Sequence, residues 1–414
     1  MRRLSCCLGV TLCCAFAVWP GRPAPAVEAP AQFRVWAAGD SHASGDFQHG
    51  YESVAVPLRQ AAGLVSNAPG FDWDIMVDAG DCCGGQGPPG DAEGQVLVDQ
   101  YRSLTKNYRE DIYHVAGNHD ADYYDLGAGA WFSKWVDPTG AHTDYSGVHP
   151  ELRRFAVDGT WERYKFQAGN ILFLMMSDYN SAPPPVGRGS SREALKGGFP
   201  AGAVTRATFD WWKQQVLSNQ DKIIVSMHHH MLRDTTTWAK HITKKGFHGS
   251  SGGVEGSGYL YHIIENPDPE NFEYTPDAHV FEDFLEAFQK EHGRPAIDLW
   301  LGGHSHPASP TETVFGQGLT ETMWGVTFVQ CGALTKYHAG RRPMSRLITF
   351  MPGRAQAEIQ LYVHSETRNE RKYKVQRHMD LGWFEEAAKT VTLRHPFVAP
   401  PADTRPAPSS VYGF

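Results

Sequence analysis

Five short apolar runs in this sequence each end by delivering histidine, asparagine or aspartate. Phe33 to Ala38 leads into Gly39-Asp40-Ser41-His42, Trp73 to Ala79 into Gly80-Asp81, and Ile112 to Ala116 into Gly117-Asn118-His119-Asp120. Lys222 to Met227 leads into His228-His229-His230, and Ile297 to Leu301 into Gly302-Gly303-His304-Ser305-His306. In extended backbone, residues two apart project to the same side, so Asp40 and His42 can face one point, as can His304 and His306. The donors are nitrogen and oxygen without thiolate. Such a set suits Zn, Mn, Fe or Ni better than a thiolate-rich structural zinc site or the all-oxygen site of calcium. It is too large for one tetrahedral ion, whereas two ions sharing a carboxylate would use it.

To act together these residues must lie at one edge of a sheet. Each apolar run reads as a buried strand, and in α/β sheets ligands gather beyond the carboxyl ends of the strands. Helical spacing follows over Tyr51 to Val65 and Glu93 to Tyr108, so the first third reads as β-α-β units with a largely parallel sheet. Ile171 to Met176 is a further strand, Thr205 to Leu217 a helix with Phe209, Trp212 and Val216 on one face, and Ala278 to His292 another helix. Val326 to Cys331, Arg346 to Phe350 and Glu358 to Val363 read as strands of an antiparallel second half. Two stretches, about 182–203 and 233–277, are rich in Gly and Pro with little periodicity, and read as loop-rich insertions. The tail from Pro396 is Pro-rich and is expected to fray.

The ordered set Asp-x-His, Gly-Asp, Gly-Asn-His-Asp, His and Gly-His-x-His resembles the calcineurin-like metallophosphoesterase superfamily, from about Phe33 to Tyr337. The resemblance implies an α/β fold, a β-sandwich of two mixed sheets flanked by helices, occupying 27–395. It implies that Asp40, His42 and His306 hold one metal ion, that Asn118, His228 and His304 hold a second, and that Asp81 bridges them. His119 would face the substrate, with Asp120 orienting its ring. Within the histidine triplet, alternation puts His228 and His230 on one side and His229 on the other. His228 comes first after the strand, where the family places its ligand, and is favoured over His230. Gly84 stands where the family often has Asp, Asn or Tyr. The missing tyrosine, with Gly-His-Ser-His-Pro, argues against a purple acid phosphatase. Gly-Asn-His-Asp favours the branch resembling diester hydrolases.

The chemistry can also be argued from the ions alone. Two cations roughly 3.5–4 Å apart clamp a phosphate ester and lower the pKa of a shared water from ~15.7 towards neutrality. The bridging hydroxide attacks phosphorus in line while the cations neutralise charge on the non-bridging oxygens. His119 serves as general acid to the leaving alkoxide. The expectation is a hydrolase of phosphomonoesters or phosphodiesters with a small-molecule substrate. The rival is a non-catalytic metal-binding exported protein that keeps the site as a staple, which would have no need of His119 with Asp120. An amidohydrolase or β-lactamase-like enzyme would place His-x-His early, not last.

Composition narrows the classes further. Among 414 residues, 46 acids outweigh 38 Lys and Arg for a net charge of −8, so no basic footprint for wrapping nucleic acid is present. Arg2 and Arg3, the apolar run Leu4 to Trp19 and the small, Pro-rich stretch ending Ala24-Pro25-Ala26 read as an export signal over 1–26, with Val27 as the mature start. That run is shorter than the ~18 residues of a spanning helix, and no other segment is long enough, so a periplasmic or extracellular protein without a membrane span is expected. Only Cys82, Cys83 and Cys331 then remain. An odd number is no disulfide scaffold, although a bridge from Cys331 to either vicinal cysteine is conceivable and an inert core role is favoured over a redox one. Arg188, Arg192, Arg233, Lys240, Lys244 and Lys245 lie in the insertions, where a solvated loop face is the expected state of most.

Overall fold

Alternating apolar residues on two sets of strands build two mixed sheets with their inner faces together. The structure, a computed structural model, describes residues 32–83, 88–121, 127–179, 181–183, 186, 202–240, 258–338, 342–364 and 381–408. The first sheet has seven strands. Its parallel half is β1 (Phe33–Ala38), β2 (Ile75–Asp78) and β3 (Ile112–His114). Its antiparallel half adds β14 (Met344–Phe350), β15 (Gln356–Val363), β16 (Gly382–Trp383) and β17 (Lys389–Thr392).

The second sheet also has seven strands. Its parallel core is β6 (Ile171–Met176), β8 (Ile223–His228), β11 (Leu299–Gly302) and β13 (Val326–Gln330). β4 (Asp158–Gly159), β5 (Arg163–Ala168) and β12 (Thr320–Met323) complete it as antiparallel edges. β13, expected in an antiparallel half, therefore runs parallel to β11. Residues of one parity, among them Val35, Ala37, Ile75, Val77, Phe173, Val225, Met227, Leu301 and Ile348, form the buried layer between the sheets. This is the sandwich that the motifs imply.

Helices cover the outer faces. α2 (Ala55–Ala61), α3 (Asp91–Tyr101) and α4 (Ala130–Trp135) pack on the first sheet through Leu58, Leu97, Trp131 and Phe132 against Trp36 and Met76. α6 (Arg206–Ser218) and α7 (Val280–His292) pack on the second through Phe209, Trp212, Phe281 and Leu285 against Ile224 and Trp300. Thr205 caps α6 by accepting from the Thr208 amide. The short helices α1 (Ala43–Phe47) and α5 (Thr143–Ser146) lie in connections.

Two expectations change. The stretch 233–277 is not uniformly loop, because β9 (His262–Asn266) pairs with β7 (Ala203–Thr205) and β10 (Glu273–Pro276), and Tyr259, Leu260 and Ile263 are buried with α6 and α7. The Pro-rich tail does not fray over its described part. Phe397 is buried between the sheets and Arg405 reaches Asp111 at 2.7 Å, so side-chain anchors hold a segment that lacks periodicity. The 1–26 leader and Arg188, Arg192, Lys244 and Lys245 lie outside the described residues.

Candidate metal centre

The carboxyl ends of β1, β2 and β3 meet those of β8 and β11 at one rim of the sandwich. Asp40, His42, Asp81, Asn118, His119, Asp120, His304 and His306 all lie there and are all buried. The local backbone is unusual. Asp40, His42, Asp81, His304 and His306 have positive φ, between 42° and 69°, which non-glycine residues adopt at a cost and which clusters at functional sites. Two glycines make room for the carboxylates. A Cβ at Gly117 would collide with Asp81 Oδ1, and one at Gly303 with Asp40 Oδ2.

The donor atoms fall into two groups that share one oxygen. In the first, His306 Nε2 is 2.9 Å from Asp40 Oδ1 and 3.3 Å from His42 Nε2, which is 3.6 Å from Asp81 Oδ2. In the second, Asn118 Oδ1 is 3.0 Å from both His229 Nε2 and His304 Nδ1, and those nitrogens are 3.3 Å apart. His229 Nε2 is also 3.2 Å from the same Asp81 Oδ2. A tetrahedral ion with bonds of about 2.0–2.1 Å holds its ligands about 3.3 Å apart, so both groups have the edge lengths of a coordination shell.

Tautomers make the same point. His229 Nδ1 lies 2.7 Å from the Ala79 carbonyl and donates to it, which leaves the Nε2 lone pair facing the acceptor oxygens of Asp81 and Asn118. A bound cation reconciles that arrangement, as a proton on Nε2 does in its absence, and an imidazole whose other nitrogen donates to a backbone carbonyl is a typical metal ligand. The field agrees. Burial opposes protonation of His229, yet Asp81 and Asp40 push its ring up to about 10. Burial, with Asp81 adding repulsion, raises Asp40 well above the carboxylate range. For Asp81 burial acts upwards, but His229, His119 and His42 outweigh it and hold the carboxyl well below its usual value. Burial and the ring of His338 keep His42 neutral, the form that binds metal. The residues present fit a pair of cations.

The histidine triplet departs from expectation. His229, not His228, joins Asp81, Asn118 and His304. Ile223, Val225 and Met227 face the first sheet, and His229 continues their parity onto the rim. His228 shares the parity of Ile224 and Ser226, which face α6, so it turns away. It meets Asp178, just beyond β6, at 3.3 Å, and His230 meets the same carboxylate at 3.1 Å.

Asp120 also has a structural part. Its carboxylate accepts from the backbone amides of Gly117 at 2.9 Å and Cys83 at 3.1 Å, and so ties the loop after β3 to the loop after β2. Burial and the charge of Asp81 push it up to about 8. The His119 amide donates to Asp81 Oδ1 at 2.7 Å, which leaves Oδ2 for the two donor groups.

One residue escaped the sequence reading. His338 lies flat on His42, with ring centroids 3.8 Å apart and planes 6° from parallel, and stands edge-on to His119 at 5.1 Å. Asp46 of α1 holds it there by accepting from the amides of Tyr337 and His338, both at 3.0 Å, and from Thr335 Oγ1 at 2.7 Å. The only signal in the sequence is an acid four residues past His42.

Cys82, Cys83 and Cys331 are buried thiols with no disulfide between them, so the conceivable bridge is not formed. Burial raises the Cys82 thiol well above its usual value and Cys331 to about 12, as inert core thiols require. Arg233 is engaged by Asp277 and His279, and Lys240 pairs with Asp234.

A family model described as calcineurin-like phosphoesterase matches residues 33–308. No curated protein matches the sequence. Among solved structures, Vps29 from Chaetomium thermophilum is similar at 10% identity, covering 89% of this chain and 100% of that one, with a TM-score of 0.29. A single mutant of Vps29 from Entamoeba histolytica is similar at 12% identity, covering 80% and 92%, with a TM-score of 0.24.

Proposed function

The chain belongs to the calcineurin-like phosphoesterase family, and on that premise we propose that it is an exported, dinuclear-metal hydrolase of phosphate esters. The observation that carries the reading is the sharing of Asp81 Oδ2 between two donor groups at coordination-shell spacing. In this reading Asp40, His42 and His306 hold one ion, Asn118, His229 and His304 the other, and Asp81 bridges. When bound, such a pair supplies charge for the phosphoryl oxygens and acidifies water, with Mn, Fe, Zn or Ni all compatible with the donors.

The chain's own groups do the rest. Asp120 pins the loops that carry Asp81 and Asn118, so their geometry is set before substrate arrives. His119 holds a proton for the leaving oxygen, a role typically worth 10²–10⁴-fold. His338, half-buried where Asp40 and His42 are fully covered, forms the lip of the site. The Gly-Asn-His-Asp turn favours diesters over monoesters.

The test is hydrolysis of bis-p-nitrophenyl phosphate and p-nitrophenyl phosphate by chelated protein before and after Mn(II) is restored. Metal-dependent turnover, faster with the diester, is expected. Silence towards both at full metal loading would favour the non-catalytic staple. Export rests on the basic, apolar and small-residue pattern over 1–26, and among the described residues no helix is long and apolar enough to cross a membrane. N-terminal sequencing of the exported protein should begin at Val27, and an intact Met1 would contradict cleavage.

A further inference from the structure

Behind the shared-carboxylate centre, Asp178, His228 and His230 form another donor group that the proposed chemistry leaves unused. All three are fully buried. His228 Nε2 is 3.3 Å from Asp178 Oδ1 and His230 Nδ1 is 3.1 Å from Asp178 Oδ2. Yet among the described residues His228 Nε2, His230 Nδ1 and Asp178 Oδ2 have no hydrogen-bond partner. The atoms are at ligand-to-ligand spacing but not in hydrogen-bonding alignment, as are the contacts of His42 and His229 with Asp81 Oδ2. His228 Nδ1 lies against the backbone of His230, 3.0 Å from the amide and 3.1 Å from the carbonyl; with Nδ1–H donating to that carbonyl, the Nε2 lone pair is left to face Asp178.

A buried carboxylate between two imidazoles needs compensating charge. Asp178 Oδ1 accepts from the Ala203 amide at 3.0 Å, which satisfies one lone pair of four and supplies no charge. A second observation points the same way. His262 of β9 is 3% exposed, has neither ring nitrogen hydrogen bonded, and lies within electrostatic reach of Asp178 and His230. So many unbonded buried nitrogens are costly unless something binds them.

We propose that Asp178, His228 and His230 bind a third metal ion, separate from the pair at Asp81. Two imidazoles and one carboxylate are the donors of a borderline cation such as Zn(II), with a fourth position left for water or for His262. The ion staples the end of β6 to the end of β8. It also braces the neighbouring centre, because the His230 ring lies 3.8 Å from that of His304. The site goes beyond the phosphoesterase reading and stands or falls without it.

The experiment is zinc analysis of the full chain, stripped by chelator, reloaded with excess Zn(II) and desalted, for wild type, Asp178→Asn, His228→Gln and Asp81→Ala. Three equivalents in wild type, two in both Asp178→Asn and His228→Gln, and one in Asp81→Ala support the proposal. Circular dichroism of Asp178→Asn, nearly isosteric, confirms folding, and Co(II) loading of folded wild type gives a second readout through tetrahedral bands that this variant should lose in part. Equal zinc and equal Co(II) spectra in wild type and the Asp178 and His228 variants would overturn the third site while leaving the pair at Asp81 intact. Complete zinc loss in Asp81→Ala would overturn its independence.

Discussion

His229 Nε2 stands 3.2 Å from Asp81 Oδ2, while the preceding His228 turns its ring to Asp178 on the far side of the strand. One residue of parity thus decides which imidazole reaches the centre. His229→Gln should remove one ion of the pair and cost more activity than the 10–100-fold typical of outer partners. His228→Gln should leave both ions at Asp81. Because His228→Gln also empties the separate Asp178 site, kcat and the anomalous metal peaks at Asp81 in the two variants check this, and the reverse pattern would restore His228 as the ligand.

His119 contributes its ring to chemistry and its backbone amide to structure. His119→Ala keeps the amide that donates to Asp81 Oδ1, so both ions of the pair should remain. Turnover should fall about 10²–10⁴-fold, with the smallest loss on substrates whose leaving group needs no proton. The measurement is kcat for esters of graded leaving-group pKa. A uniform loss across the series would remove His119 from the proton-transfer step.

Gly303 tests the close approach of backbone to carboxylate. In Gly303→Ala the new methyl meets Asp40 Oδ2 and must shift the carboxylate, whose Oδ1 stands 2.9 Å from His306 Nε2. The fold should lose about 1–3 kcal/mol, as overpacking usually costs, and the affinity for one ion should drop. Urea unfolding and metal titration read the two effects separately. Unchanged affinity would show that Asp40 is not held at its ligand position by this contact.

A network far from the centre sets a pH limit on stability. Trp36 donates to Ser345 Oγ at 2.8 Å, and Ser345 and Gln60 engage the two ring nitrogens of His364 at 2.7 and 2.8 Å. Burial drives His364 down to about 3 from an ordinary 6.5. The unfolded chain therefore takes up a proton as pH falls through about 6.5, whereas the folded one does not until about 3. Stability is present above the unfolded value and is lost between those limits, at up to about 1.4 kcal/mol per pH unit. His364→Gln should show a shallower fall between pH 7 and 4 by urea unfolding. Parallel curves would contradict the assignment.

The motif residues were legible because glycine-bounded turns at strand ends announce themselves in the chain. Asp40, His42, Asp81, Asn118, His304 and His306 meet at one rim because their strands are neighbours, something periodicity and order suggest together. His229 was hidden by reliance on position within the triplet, although the parity of Ile223, Val225 and Met227 pointed to it. His338 had no signal of its own, since its place depends on Asp46 gathering backbone amides from a distant loop. β9 and β10 were masked by glycine and proline in their surroundings, and their pairing with β7 is a tertiary choice that local propensity does not carry. The docked tail was missed for the same reason, because single anchors such as Phe397 and Arg405 leave no periodic trace.

The central claim is that two cations sit on either side of one Asp81 oxygen. Anomalous difference density from crystals of the full chain grown with Mn(II) measures this directly. The account predicts two peaks about 3.5–4 Å apart, both bonded to Asp81 Oδ2, one with His42 and His306 and one with His229 and His304. A single peak, or peaks that leave Asp81 without a bond, would contradict it.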